Sequence, residues 1–128
     1  MEETHGISLK ERAESFLQLI ASGNVREAFK THTRSDFYHH NLYFRGDADS
    51  IMEAMEENAA ENPDKIFEVK LAIEEEETVA VHSHMKQNPE DIGAVVIHIF
   101  RFENERIIEM WDVGQPIPEN SPNENGAF

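Results

Sequence analysis

The chain contains no cysteine. Disulfides, thiol nucleophiles and thiolate metal sites are therefore excluded. Cations are scarce: 11 Lys and Arg stand against 26 Asp and Glu, a formal net charge of −15. So acidic a surface repels phosphate backbones and anionic lipids, so neither nucleic acid nor a membrane is an expected partner. No apolar run approaches the roughly 20 residues that cross a bilayer. There is no glycine-rich phosphate loop, no Gly-x-Ser-x-Gly elbow and no His-Glu-x-x-His pair. The start, Met1-Glu2-Glu3-Thr4-His5, is acidic and polar, unlike a signal peptide, and a cytoplasmic protein is expected.

What is present is enough for a core. Hydrophobic residues make up 39% of the chain and fall in periodic blocks, which argues against disorder. The 128 residues suit one domain over positions 1–128. Ser8 and Glu11 form a capping box, and Leu9, Ala13, Phe16, Leu17 and Ile20 then line one helical face. Gly23 ends this helix in the left-handed conformation. Asn24 and Glu27 open a second helix with Val25, Ala28, Phe29 and His32 on one side. Phe37 to Asn41 reads as a short strand or extended edge. Ser50 and Glu53 predict another capping box for a third helix, which stops before Asn62-Pro63.

Beyond Pro63 the period changes to two. Ile66 to Glu74 alternates, with Phe67, Val69, Leu71 and Ile73 expected on one face. Thr78 to Gln87, Ile92 to Glu103 and Arg106 to Gln115 follow as strands joined by short polar connections. Those lengths predict hairpins and an antiparallel sheet. The third of these four strands is apolar on both faces and is expected at the centre. Helices first and strands afterwards give an α+β fold, with helices packed on a curved sheet. Residues 116–128 hold three of the five prolines and no period, a tail that Phe128 can anchor.

Three clusters can carry chemistry. In Tyr38-His39-His40-Asn41, Tyr38 and His40 share one face and His39 takes the other. Imidazoles exchange protons near neutral pH; exposed or hydrogen-bonded strand-end histidines are the plainer alternative. In Val81-His82-Ser83-His84-Met85, both rings share one strand face. They suit polar lining, an exposed face or, with His40 added, a metal. In Glu109-Met110-Trp111-Asp112-Val113, alternation sets Ile108, Met110 and Asp112 on one face and Ile107, Glu109, Trp111 and Val113 on the other. A carboxyl group among apolar neighbours is a candidate general acid or base, or it simply faces water. His98, between Val96 and Phe100, reads as a core histidine or as pocket lining.

The run from Ile99 through Trp111-Asp112-Val113-Gly114-Gln115-Pro116 resembles the last hairpin of SnoaL-like proteins of the nuclear transport factor 2-like superfamily. The strand Val79 to His84, the His40-Asn41 pair and the closing Asn123 to Phe128 fit the same subgroup. The resemblance implies a cone, in which a strongly bent sheet wraps helices and a pocket opens between them (a cystatin-like fold). It implies homodimers formed through the outer sheet face. It also implies polyketide cyclase-like chemistry, an intramolecular aldol condensation with neither metal nor other cofactor. Carried over, the acid is Asp112 and the histidine His40, with Asn41 beside it. Tyr38, His82, His84, His98, Phe100, Met110 and Trp111 are then expected to contact a small-molecule ligand, Phe100 and Met110 as apolar wall. The competing readings are a non-catalytic ligand-binding or dimeric module, and a metal enzyme built on His40, His82 and His84.

Overall fold

The computed structural model describes residues 7–128. The acidic start, Met1 to His5, lies outside the described residues. Within them the order is α1 (Leu9–Ala21), α2 (Val25–His32), β1 (Thr33–His39), α3 (Ala48–Glu61), β2 (Ile66–Glu75), β3 (Thr78–Lys86), β4 (Ala94–Glu103) and β5 (Arg106–Pro116). The Ser8–Glu11 capping box forms as its residues predict. For α3 the cap is Asp47, three residues before the expected Ser50: its carboxylate accepts from both the Ser50 backbone N–H and its hydroxyl. A carboxylate competes well for exposed helix N–H groups, so the first acceptor in the run takes the role. Asn24 precedes α2 but makes no side-chain cap; its amide donates to Ser22 instead.

The sheet runs β1-β5-β4-β3-β2, which places β4 at the centre as its two apolar faces require. Four strands pair antiparallel through hairpins, but β1 pairs parallel with β5, so the sheet is mixed rather than wholly antiparallel. The intervening α3 and three strands supply the long crossover that parallel pairing needs. The sheet curls around the helices without closing.

Two bulges change which residues face inward. Val69 pairs with Ser83 and Leu71 with His82, so Lys70 is an extra residue in β2. Phe67, Val69 and Ala72 therefore pack against the core, while Leu71 and Ile73 are 53% and 55% exposed on the outer face. The expected Phe67-Val69-Leu71-Ile73 stripe is split, because one inserted residue inverts a period of two. In β5 a register shift at Arg101/Phe102 brings Ile107 opposite Phe102, where it is fully buried.

The core is an aromatic ladder between helices and sheet. Phe16 of α1 meets Phe29 edge-on at 5.1 Å and Phe100 at 5.6 Å, and Phe29 meets Phe37 at 5.3 Å. Such edge-to-face pairs add to the area they bury. At the β3–β4 connection Gly93 has φ +86°, and a Cβ there would lie 2.4 Å from the Met85 carbonyl oxygen. Only glycine fits that approach. Among the described residues no helix is long and apolar enough to cross a membrane.

Candidate functional site

Under α1 and α3 the inner sheet face leaves a cavity of about 700 Å³. That is within the range of ligand pockets. Phe16, Leu17 and Ile20 face it from α1, and Ile51, Met55 and Asn58 from α3. The sheet contributes Phe67, Met85, Val96, His98, Met110 and Asp112. The loop after β1 contributes Asn41, Leu42, Tyr43 and Phe44, of which Leu42 and Tyr43 are almost fully exposed.

Strand register assembles the polar part of this wall. His98 of β4 lies directly opposite Asp112 of β5, one row from the Phe100–Met110 pair. Asp112 Oδ2 accepts from Asn41 Nδ2 at 3.1 Å, while its buried Oδ1 has no partner. The His98 ring lies parallel to Phe100 at 5.8 Å and is tilted against Phe67 at 6.1 Å. Burial pushes its pKa down to about 4, only partly opposed by the Asp112 charge. The imidazole is therefore neutral at neutral pH, and its buried Nδ1 is unpartnered. A carboxyl group and a neutral imidazole thus face one mostly apolar cavity.

His40 is engaged elsewhere. Its Nε2 donates to Glu109 Oε2 at 2.6 Å, and its ring stacks on Trp111 at 5.1 Å. Arg101 Nε donates to the other Glu109 oxygen at 2.8 Å, and Arg101 also donates to the Tyr38 hydroxyl. Burial alone would raise the Glu109 pKa, but hydrogen bonding by His40, Arg101 and Tyr38 outweighs it and holds the group below the usual range. His40 and Trp111 line the cavity, yet Tyr38 does not. His39 takes the opposite face from His40, as alternation predicts, and is buried; its Nδ1 accepts from the Asn41 N–H at 3.1 Å. Asn41 is thereby held at both ends, by His39 on its backbone and Asp112 on its side chain.

Besides Tyr38, three expected ligand contacts lie outside the cavity. His82 and His84 sit on the outer sheet face, covered by Phe128 at 5.3 and 4.8 Å. Lys70 Nζ lies 5.1 Å from the same Phe128 ring. The tail thus folds onto the sheet's back, and the inward side chains that alternate with these histidines are Val81 and Ser83. Phe100 is fully buried in the core ladder instead of forming cavity wall. His40, His82 and His84 do not converge, and among the described residues no group of three His, Asp or Glu could hold a metal ion.

Sequence reasoning missed Glu109, Lys65 and Gln87. Lys65 and Gln87 line the cavity at the far end of the sheet. Alternation from Phe67 was the available signal for Lys65, since a residue two positions away shares its face.

The His98 environment has a measurable consequence. Unfolded, this imidazole takes up a proton near pH 6.5; folded, it does so only near 4. Between those values the unfolded chain carries more protons, so stability rises with pH. Tm is expected to fall as pH is lowered from 6.5 towards 4, and to fall less in His98→Asn. Equal falls in both proteins would exclude His98 as the source.

A curled sheet closed by helices over a cavity with a carboxyl–imidazole pair defines a small α+β pocket fold. A SnoaL-like domain matches residues 13–110, and the chain belongs to the SnoaL-like family. A SnoaL-like polyketide cyclase from Agrobacterium tumefaciens is 15% identical with a TM-score of 0.68, over 85% of this chain and 92% of that one. A nuclear transport factor 2-like protein of unknown function from Cytophaga hutchinsonii is 16% identical with a TM-score of 0.68, over 86% and 92%. An uncharacterized cystatin-fold protein from Novosphingobium aromaticivorans is 17% identical with a TM-score of 0.68, over 84% and 99%. At these identities the likeness shows the fold alone. No curated protein matches the chain.

Proposed function

We propose that this protein is an acid–base enzyme of the lyase, cyclase or isomerase type, acting without a cofactor on a small carbonyl compound. The observation that carries the reading is the His98–Asp112 pair on the cavity wall, one neutral imidazole opposite one carboxyl group with an unpartnered oxygen. Asp112 takes a proton from the carbon next to the carbonyl. The C–H electron pair moves into the carbonyl, and the developing enolate oxygen accepts a hydrogen bond from His98. Asn41 orients the Asp112 carboxyl. The enolate then either regains the proton at another carbon or attacks a second carbonyl of the same molecule, whose alkoxide takes the proton back from Asp112. His40 acts through position: it holds Trp111 by stacking and is itself fixed by Glu109. Loss of catalysed α-proton exchange in Asp112→Asn tests the reading; unchanged exchange overturns it. A cyclase-like role also agrees with the A. tumefaciens structure's name.

The second reading, a ligand-binding module without chemistry, is favoured by the dominance of apolar side chains in the cavity lining. It predicts ligand affinity with no exchange.

A homodimer through the outer sheet face is part of the proposal, as is a cytoplasmic setting. Exposed Leu71 and Ile73 on that face support the dimer; the lack of cysteine agrees with a reducing compartment. Apolar side chains left exposed on a sheet face are where association sites form. Light scattering is expected to show a dimer that Ile73→Glu converts to monomer. A wild-type monomer would remove this part.

A further inference from the structure

We propose that the cavity binds an anionic group, of carboxylate type, at Lys65 with Asn58 and Gln87, so that the ligand is an apolar carbonyl compound carrying an acid remote from its reacting carbon. The inference rests on the acid–base reading for where that carbon lies, and on separate observations for the anion site.

Lys65 is half-buried and is the only lysine or arginine among the residues lining the cavity. The chain carries a net charge of −15, yet among the described residues no carboxylate forms an ion pair with Lys65. The partly or fully buried arginines, by contrast, are paired: Arg12 with Glu105, Arg34 with Asp36 and Glu103, Arg101 with Glu109. Arg106 is satisfied by the Lys30 and Thr33 carbonyls. Lys65 has a single neutral acceptor, Asn58 Oδ1 on α3. An ammonium offers three donors, so two remain for a ligand.

The second observation lies across the strand. Ile66 pairs with Lys86, which sets Lys65 beside Gln87 at the end of the β2–β3 ladder. Gln87 Oε1 is buried and unpartnered. Turning that amide over presents an N–H donor to the same point. Phe67, the next inward residue, touches His98 and so joins this end of the cavity to the Asp112 end. A ligand of about this form therefore spans an apolar stretch with its acid at Lys65 and its carbonyl at His98. Burial also holds the Lys65 ammonium below the ordinary lysine range. An incoming anion relieves that cost, which favours charged over neutral ligands.

The test compares 5-phenylpentanoate with its neutral amide, 5-phenylpentanamide, using quenching of the single Trp111 and calorimetry. The carboxylate is expected to bind about tenfold more tightly than the amide, a typical gain for a charged hydrogen-bonded contact. Lys65→Met is expected to abolish that preference; Lys65→Arg is expected to keep most of it. Melting curves confirm that each variant folds. Equal affinities in the wild type, a preference that survives Lys65→Met, or no saturable binding of either probe would each overturn the proposal. The same comparison in Asp112→Asn separates it from the acid–base reading. There the preference persists if the anion site is real, whatever that variant does to proton exchange.

Discussion

Asp112→Asn is expected to lower catalysed α-proton exchange by about 10² to 10⁴ while leaving Tm nearly unchanged. Exchange of 2-tetralone protons in D₂O, followed by NMR, measures it directly. The asparagine amide keeps the volume and can keep a contact with Asn41, which now donates at 3.1 Å to the carboxyl group. What it loses is the basic oxygen. The unpartnered Oδ1 has no structural task among the described residues, so its loss costs the fold little. His98→Ala is expected to reduce exchange less, because it removes a hydrogen bond to the enolate but not the base. If the wild type shows no exchange above buffer, or the variant matches it, the acid–base assignment falls. Exchange driven by His40 instead would appear as loss in His40→Ala with Asp112→Asn unaffected.

Phe100→Ala is expected to destabilise the protein by about 3 to 5 kcal/mol, lowering Tm by roughly 10 to 20 °C. Phe100 is fully buried, and its ring meets Phe16 at 5.6 Å, His98 at 5.8 Å and Phe102 at 6.5 Å. These contacts come from α1 and from both directions along its own strand β4, so no single element can relax into the void. Urea unfolding gives the difference. A residue of the cavity wall would behave otherwise, with lower ligand affinity and small loss of stability. A change below about 1 kcal/mol would return Phe100 to the pocket lining.

Local chemistry explains which features were legible in the residues. The Ser8–Glu11 box, the α1 face and the stop before Asn62-Pro63 depend on neighbours within one turn of helix, and each formed as read. That Asp112 shares a face with Met110 was legible because β5 alternates from Met110 onward; that this face is the inner one was left open. The outward drift of Leu71 and Ile73 was not, since a bulge at Lys70 leaves no local trace and inverts everything after it. His82 and His84 share a face as their spacing requires, but spacing alone does not say whether that face is the sheet's inside or its back.

The sequence by itself determined the class of fold, the strand and helix order after Ser8, and the candidacy of Asp112, since these follow from composition, period and turn chemistry. Tertiary structure alone decided the pairings. It set His98 opposite Asp112, turned His40 to Glu109, made β1 a parallel neighbour of β5, and left Lys65 in the cavity with no carboxylate paired to it among the described residues. Each of these joins residues far apart in the chain through strand register and sheet curvature. Register is fixed by bulges and core packing summed over the whole sheet, which no short window of residues contains.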